Sequence, residues 1–254
     1  MIIDCISDLH GELPELQGGD LLIIAGDLTG SDKVIQWKNF YLWLDNQKYD
    51  QIVYIAGNHD GLLYTSISSK GCRALLEKED WPKDNIEYLR DNSFMYKGLK
   101  IYGMPWTPTF CRWYFMKDRK GMREMAAKIP EDVDILISHG PPYKTLDQVE
   151  FSSRGDKDRY AGCKELAKHL KSLKQLKLHV FGHIHESYGV RHQNYEIGDE
   201  TVIPGGYVSV NASIMNGDYD PVNPPIRLIV EEKPEFQVVE IRSGSRLVYQ
   251  AQSE

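Results

Sequence analysis

Two β-sheets packed face to face with helices outside are the architecture this 254-residue sequence predicts, as a single α/β domain over residues 1–254. Three observations carry that expectation. Five short apolar runs each open, directly or through one glycine, onto Asp, His or Asn, and such runs read as buried strands whose C-terminal ends lead into loops. Between the second and third runs, Val34, Trp37, Tyr41 and Leu44 recur at helical spacing, so a strand–helix–strand unit with parallel pairing is expected. Beyond residue 185 the chain breaks into strand-length segments, enough to complete two sheets.

The elements follow in order. Ile2–Ser7 leads into Asp8-Leu9-His10, and Leu21–Ala25 into Gly26-Asp27. Ser31-Asp32 is placed to cap the helix that starts at Val34. Ile52–Ala56 leads into Gly57-Asn58-His59-Asp60. A helix is expected over residues 71–79, then short strands near Ile86–Leu89, Ser93–Tyr96 and Leu99–Met104, with Lys97-Gly98 as a hairpin turn. Pro105–Lys117 is aromatic and bracketed by proline, and does not read as regular structure. It is either a loop packing its rings on the domain or a wall of a substrate pocket, with Trp106 in or beside that pocket.

A helix near Met122–Lys128 precedes Asp134–Ser138, which opens onto His139, and Gly140-Pro141-Pro142-Tyr143 forces a turn there. Gln148–Tyr160 is polar and irregular, and a helix follows over residues 162–173. Leu178–Phe181 leads into Gly182-His183-Ile184-His185. Ser187–Arg191, Tyr207–Ala212, Arg227–Val230, Gln237–Ile241 and Leu247–Gln250 complete the strands.

Composition narrows the function classes. Hydrophobic content of 41% and charged content of 26% fit a globular chain able to bury a core. The net charge of −7 and the lack of a dense basic run disfavour duplex nucleic acid as a partner. The four lysines between Lys168 and Lys177 read as a solvated helix face. Cys5, Cys72, Cys111 and Cys163 are scattered, as free thiols in a reducing compartment would be. No leader pattern opens the chain and no apolar run approaches the ~20 residues of a membrane span. A cytoplasmic location is expected.

The chemistry sits at the strand ends. If those ends share one edge, Asp8, His10, Asp27, Asn58, His59, His139, His183 and His185 converge, at the edge where α/β sheets bind ligands. Asp27 is a single carboxylate with two oxygens, able to bridge two metal ions. Five of the eight histidines fall in these motifs, while His169, His179 and His192 read as surface or structural. One strand-end histidine is usually structural; five motifs with the right residue types point to a metal site.

These residues resemble the calcineurin-like metallophosphoesterases, whose five blocks are present in order as Asp8-x-His10, Gly26-Asp27, Gly57-Asn58-His59-Asp60, His139 and Gly182-His183-x-His185. Further segments are similar to a phosphodiesterase branch of the family known from animal brain. They include Tyr102-Gly103-x-Pro105-Trp106-Thr107-Pro108, Lys177-Leu178-His179-Val180-Phe181-Gly182, Asn211-Ala212-Ser213 and Asn223-Pro224-Pro225-Ile226. Some members of that branch lack the first histidine of the last block. It is present here as His183, so a complete second metal site is expected.

The resemblance implies a calcineurin-like sandwich of two mixed sheets and two divalent ions. Asp8, His10, Asp27 and His185 would hold one ion, and Asp27, Asn58, His139 and His183 the other. Such donors suit Mn, Fe, Zn, Co or Ni, with Mn favoured, and a water between two ions is acidified towards hydroxide. Asp27, Asn58 and His59 would form the catalytic centre, with Asn58 and His59 also touching substrate. His59 would be a general acid or a transition-state stabiliser, and Asp60 either orients its ring or caps a helix. The implied function is hydrolysis of a small phosphodiester such as a cyclic nucleotide. Alternatives are a phosphomonoesterase, a dinucleoside polyphosphate hydrolase, a nuclease or a non-catalytic nucleotide-binding scaffold.

Overall fold

The computed structural model describes residues 1–65, 83–150, 159–193, 206–231 and 236–250. One sheet has four parallel strands, β1 (Ile2–Ile6), β2 (Gly19–Ile24), β3 (Tyr49–Tyr54) and β4 (Ile86–Tyr88). The other holds β5 (Asn92–Tyr96), β6 (Leu99–Met104), β9 (Ile135–Ser138), β10 (Leu178–Phe181), β11 (Gly189–Gln193) and β12 (Tyr207–Asn211), in the order β11-β12-β10-β9-β6-β5. Between β6 and β9 lies a small pair, β7 (Thr107–Pro108) with β8 (Met116–Lys117). Strands β13 (Ile226–Glu231), β14 (Gln237–Ser243) and β15 (Arg246–Gln250) return antiparallel to extend the first sheet beyond β1. This is the predicted α/β arrangement of two mixed sheets with helices.

Alternation along the strands builds the layers. Leu21, Ile23 and Ala25 pack with Ile135, Ile137 and Val180 of the other sheet, forming the inner core. Their neighbours Leu22 and Ile24 pack with Trp37, Phe40, Tyr41 and Leu44 of helix α1 (Val34–Asp45). Strands covered on both faces read as continuous apolar runs, which is why period-two patterning was absent from them. Val34, at the start of the helical stripe, stays exposed. Among the described residues, no helix is long and apolar enough to cross a membrane.

Several local expectations need correction. Lys33, not Ser31 or Asp32, is the N-cap of α1, and it makes no side-chain cap bond. Asp32 instead accepts from Trp37 Nε1 at 2.7 Å and Leu62 N at 3.0 Å, tying α1 to α2 (Gly61–Thr65). Helix α3 (Arg119–Ala126) starts earlier than expected because Asp118 caps it through Gly121 N. Helix α4 (Lys164–Leu170) is shorter than the expected span of residues 162–173. The strand expected from Ser187 begins at Gly189, after a 3₁₀ turn over His185–Ser187. The aromatic segment holds regular structure after all, since Thr107 N donates to Phe115 O and Thr109 N to Lys117 O. Lys97 and Gly98 form the hairpin turn with φ of 46° and 81°. The helix expected over residues 71–79 lies outside the described residues.

One polar junction joins the two halves of the first sheet. Asp4 on β1 is 2% exposed and accepts from Arg227 Nε at 2.8 Å, Arg227 Nη2 at 2.7 Å and the Tyr49 hydroxyl. Removing the cation strands a buried carboxylate, so Arg227→Met is expected to cost about 3–5 kcal/mol. The shift of the urea midpoint at constant m-value measures it. A loss below about 1 kcal/mol would mean that water replaces the guanidinium.

Candidate metal centre

All five motif-bearing strands end on the same side of the sandwich. Backbone bonds join the sheets there: Ser7 N donates to Ala212 O at 2.8 Å and Ile214 N to Ser7 O at 3.0 Å. His139 reaches across the gap, donating from Nδ1 to Ala25 O at 2.9 Å. Asp8, His10, Asp27 and His183 all adopt left-handed backbone conformations, with φ of 55°, 45°, 51° and 69°. Such conformations are uncommon for residues other than glycine, although Asp and His adopt them more readily than most. The sharp turns aim side chains back over the strand ends.

Two glycines make room for this. A Cβ on Gly182 would lie 2.0 Å from Asp8 Oδ2, and one on Gly57 would lie 2.2 Å from Asp27 Oδ1. The backbone has to pass that close because His183 N donates to both Asp8 oxygens, and His59 N donates to Asp27 Oδ1 at 2.8 Å.

The result is three overlapping groups, each with its donor atoms within 4.8 Å of one another: Asp8, His10 and His185; His10, Asp27 and His59; Asp27, His139 and His183. Asp27 Oδ2 lies 3.8 Å from His10 Nε2 and 3.3 Å from His139 Nε2, so one oxygen faces two groups. Asn58 joins through Oδ1, 3.0 Å from His139 Nε2. The sequence-predicted residues are therefore brought together, except for Trp106.

The residues fit a divalent metal on their own chemistry. Carbonyl oxygens only accept, so His139 and His185 carry their protons on Nδ1, bonded to Ala25 O and Asn216 O. That turns Nε2 inward, the orientation metal-binding imidazoles take. His10 Nε2 and His185 Nε2 lie 3.3 Å apart beside two carboxylates, a crowd of acceptors suited to a cation. Charge states agree. Burial raises the Asp8 carboxyl, but His185 and His139 hold it down to about 2. Asp27 is likewise held far below the carboxylate range, chiefly by His139 against burial. Burial pushes His10 down to about 4 and His183 to about 3, leaving neutral rings. For His139 burial acts downward, yet Asp27 lifts it to about 9; a bound cation would displace that proton.

Asp60 neither orients His59 nor caps α2 with its side chain. Its carboxylate accepts from Leu28 N, Thr29 N and Gly57 N, locking the Asp27 and Asn58 loops together. Burial and the Asp27 charge push it up to about 8, against those N–H groups. His59 is oriented by Gly30 O instead, at 2.9 Å from Nδ1.

Trp106 is also corrected. It is 6% exposed, donates to both oxygens of Asp91 at 3.0 and 2.8 Å, and packs on Phe115. Phe110 and Trp113 of the same segment, with Tyr219, line the cavity that reaches Asp27, Asn58 and His59. The aromatic composition of the segment was visible in the sequence, but which rings turn outward was not. Tyr219 had a weaker cue, a lone aromatic in the turn-rich stretch Asn216-Gly217-Asp218.

Gly182→Ala is expected to fold yet lose metal affinity by about tenfold or more, since its methyl would displace Asp8. Metal titration beside circular dichroism separates the two effects. Unchanged affinity would mean the Asp8 loop adapts.

Comparisons with known proteins bear on the family and the fold. The family model described as calcineurin-like phosphoesterase matches residues 1–187. The chain is 36% identical over 245 residues to human metallophosphoesterase domain-containing protein 1, covering 87% of this chain and 68% of that protein, and the mouse protein matches equally. A UPF0046 protein of Caenorhabditis elegans is 31% identical over 221 residues, covering 75% and 53%. A solved crystal structure superposes with a TM-score of 0.58 at 14% identity, covering 89% of this chain and 94% of the other, a likeness of fold. The chain belongs to the calcineurin-like phosphoesterases, and that membership together with the donor clusters supports a metal-dependent phosphoester hydrolase.

Proposed function

We propose that the chain hydrolyses small phosphodiesters, cyclic nucleotides foremost, at a dinuclear centre with manganese the favoured metal. The observation that carries the reading is Asp27 Oδ2, which faces imidazoles of both clusters. Asp8, His10, Asp27 and His185 would hold one ion, and Asp27, Asn58, His139 and His183 the other. When bound, such a pair supplies Lewis acidity towards phosphoryl oxygens and an acidified water. The free thiols of Cys5, Cys111 and Cys163 support a reducing, cytoplasmic setting. A cavity of about 880 Å³ beside the cluster supports a substrate of nucleotide size.

The chain's own contribution centres on His59. Its Nδ1–H bond to Gly30 O leaves Nε2 without a proton in the neutral ring. Only the imidazolium therefore carries a proton at Nε2 for a leaving alkoxide. The same cation could instead steady charge on the phosphoryl oxygens. Trp113, with its ring 4.1 Å from that of His59, shields one face from water. A second reading rests on the group His10, Asp27 and His59, which would make His59 a ligand.

Metal titration is expected to saturate at two ions per chain; full activity with one would sink the dinuclear reading. Asp27→Ala should lose both ions and more activity than His185→Ala, and retention of both would place the shared ligand elsewhere. His59→Ala should keep both ions and lose roughly 10²–10⁴-fold in rate. As an acid, it should matter less for a 4-nitrophenolate leaving group than for a ribose hydroxyl; as a stabiliser, it should matter equally for both. Loss of an ion in that variant would favour the ligand reading. Turnover of a cyclic nucleotide beside a monoester and a dinucleoside polyphosphate decides among the phosphoester classes.

A further inference from the structure

The cavity rim carries aromatic surface that holding a metal does not require. Phe110, Trp113 and Tyr219 line the cavity and are 58%, 45% and 57% exposed. Each stands on a different part of the histidine cluster. The Phe110 ring is 5.3 Å from that of His183, and Trp113 is 4.1 Å from His59. Tyr219 lies 5.0 Å from His10 and 4.8 Å from His185. Trp106, by contrast, is covered and does not line the cavity.

Backbone hydrogen bonds fix the segments that carry Trp113 and Tyr219, while Phe110 rests on the His183 ring. Tyr219 has φ of 65°, a conformation a bulky residue seldom adopts. Its N–H donates to Asn216 O at 3.1 Å, the same carbonyl that accepts from His185 Nδ1. Asn216 Oδ1 accepts from Asp218 N and Asp220 N, both at 2.9 Å, closing the loop. Opposite, Tyr114 N donates to Asn58 O at 3.2 Å, so the residue after Trp113 is tied to a motif backbone. Both rims are thus fixed relative to the site, with ring faces left open.

We propose that Phe110, Trp113 and Tyr219 form an aromatic collar that binds a planar organic group attached to the substrate phosphate. The inference rests on the phosphoesterase reading for where the phosphate sits, and adds that the rest of the substrate is a flat π-system. Stacked and edge-on contacts suit such a group, and they tolerate different ring identities. A nucleobase and an aryl ester share this chemistry.

Two measurements test it on the metal-loaded protein. The first compares binding of AMP with ribose 5-phosphate, which have the same charge but differ in the base. Wild type should prefer AMP by about tenfold or more. Trp113→Leu and Tyr219→Leu should bring the ratio towards one, while Tyr219→Phe should retain it. The second compares kcat/KM for 2′,3′-cyclic AMP, bis(4-nitrophenyl) phosphate and glycerol 1,2-cyclic phosphate. The leucine variants should lower selectivity for cyclic AMP over the glycerol compound by a similar factor. A parallel loss with the aryl ester supports a collar for any flat ring; loss confined to cyclic AMP narrows it to nucleobases. Equal losses on all three, or a wild type that binds AMP and ribose 5-phosphate alike, would overturn the collar. A wild type that prefers AMP but turns over no diester would keep the collar and remove the phosphodiesterase reading.

Discussion

Asp27 sets a carboxylate, 2% exposed, between imidazoles that arrive from different sheets. Its Oδ1 is taken by the His59 backbone, which leaves Oδ2 to face His10 and His139. A buried carboxylate so placed is tolerable only while cationic or N–H partners surround it. That requirement governs the neighbourhood. Gly57 has to be bare so that its backbone can approach, and Asp60 has to clamp Leu28, Thr29 and Gly57 so that the two loops stay in register. His139 has to cross to Ala25 O, which couples the strand ends of one sheet to those of the other.

The strain in this edge is considerable. Four motif residues adopt left-handed backbone conformations, and each such residue costs on the order of 1–3 kcal/mol. Such turns persist because the strands that feed them are covered on both faces and cannot relax. Leu21 and Ile23 are locked in the inner core while Leu22 and Ile24 are locked under α1. The same rigidity serves chemistry, because the donor atoms need no rearrangement to converge. His10, His59, His139 and His185 differ in sequence position by up to 175 residues, yet their inward nitrogens occupy one small space.

Around this fixed centre the rim is built differently. The segments that carry Phe110, Trp113 and Tyr219 leave the strands and are closed by their own backbone bonds, such as Thr107 to Phe115 and Tyr219 to Asn216. Loops of this kind can change their side chains without disturbing the core. The division places ligand geometry on strand ends and contact surface on loops. It also explains why Trp106, at the base of the aromatic segment, belongs with the scaffold: its indole N–H is committed to Asp91.

The sequence by itself determined the main strands, though not the β7–β8 pair, and where the metal-ligand residue types fall, because apolar runs and the residues that end them are local features. It also determined that His169, His179 and His192 lie outside the five motifs. It could not determine the hydrogen-bond partners of ambiguous polar residues. Asp32 was a plausible cap and became a tie between helices; Asp60 was a plausible orienter and became a clamp on two loops; Trp106 was a plausible pocket ring and became buried support. Each offered more than one local use, and long-range partners chose among them. Only the tertiary structure decided that Asp27 presents a single oxygen to two histidines and that Tyr219 overhangs His10 and His185. Those positions arise from two sheets and their loops meeting at one edge, a relation between residues far apart in the chain that no local pattern encodes.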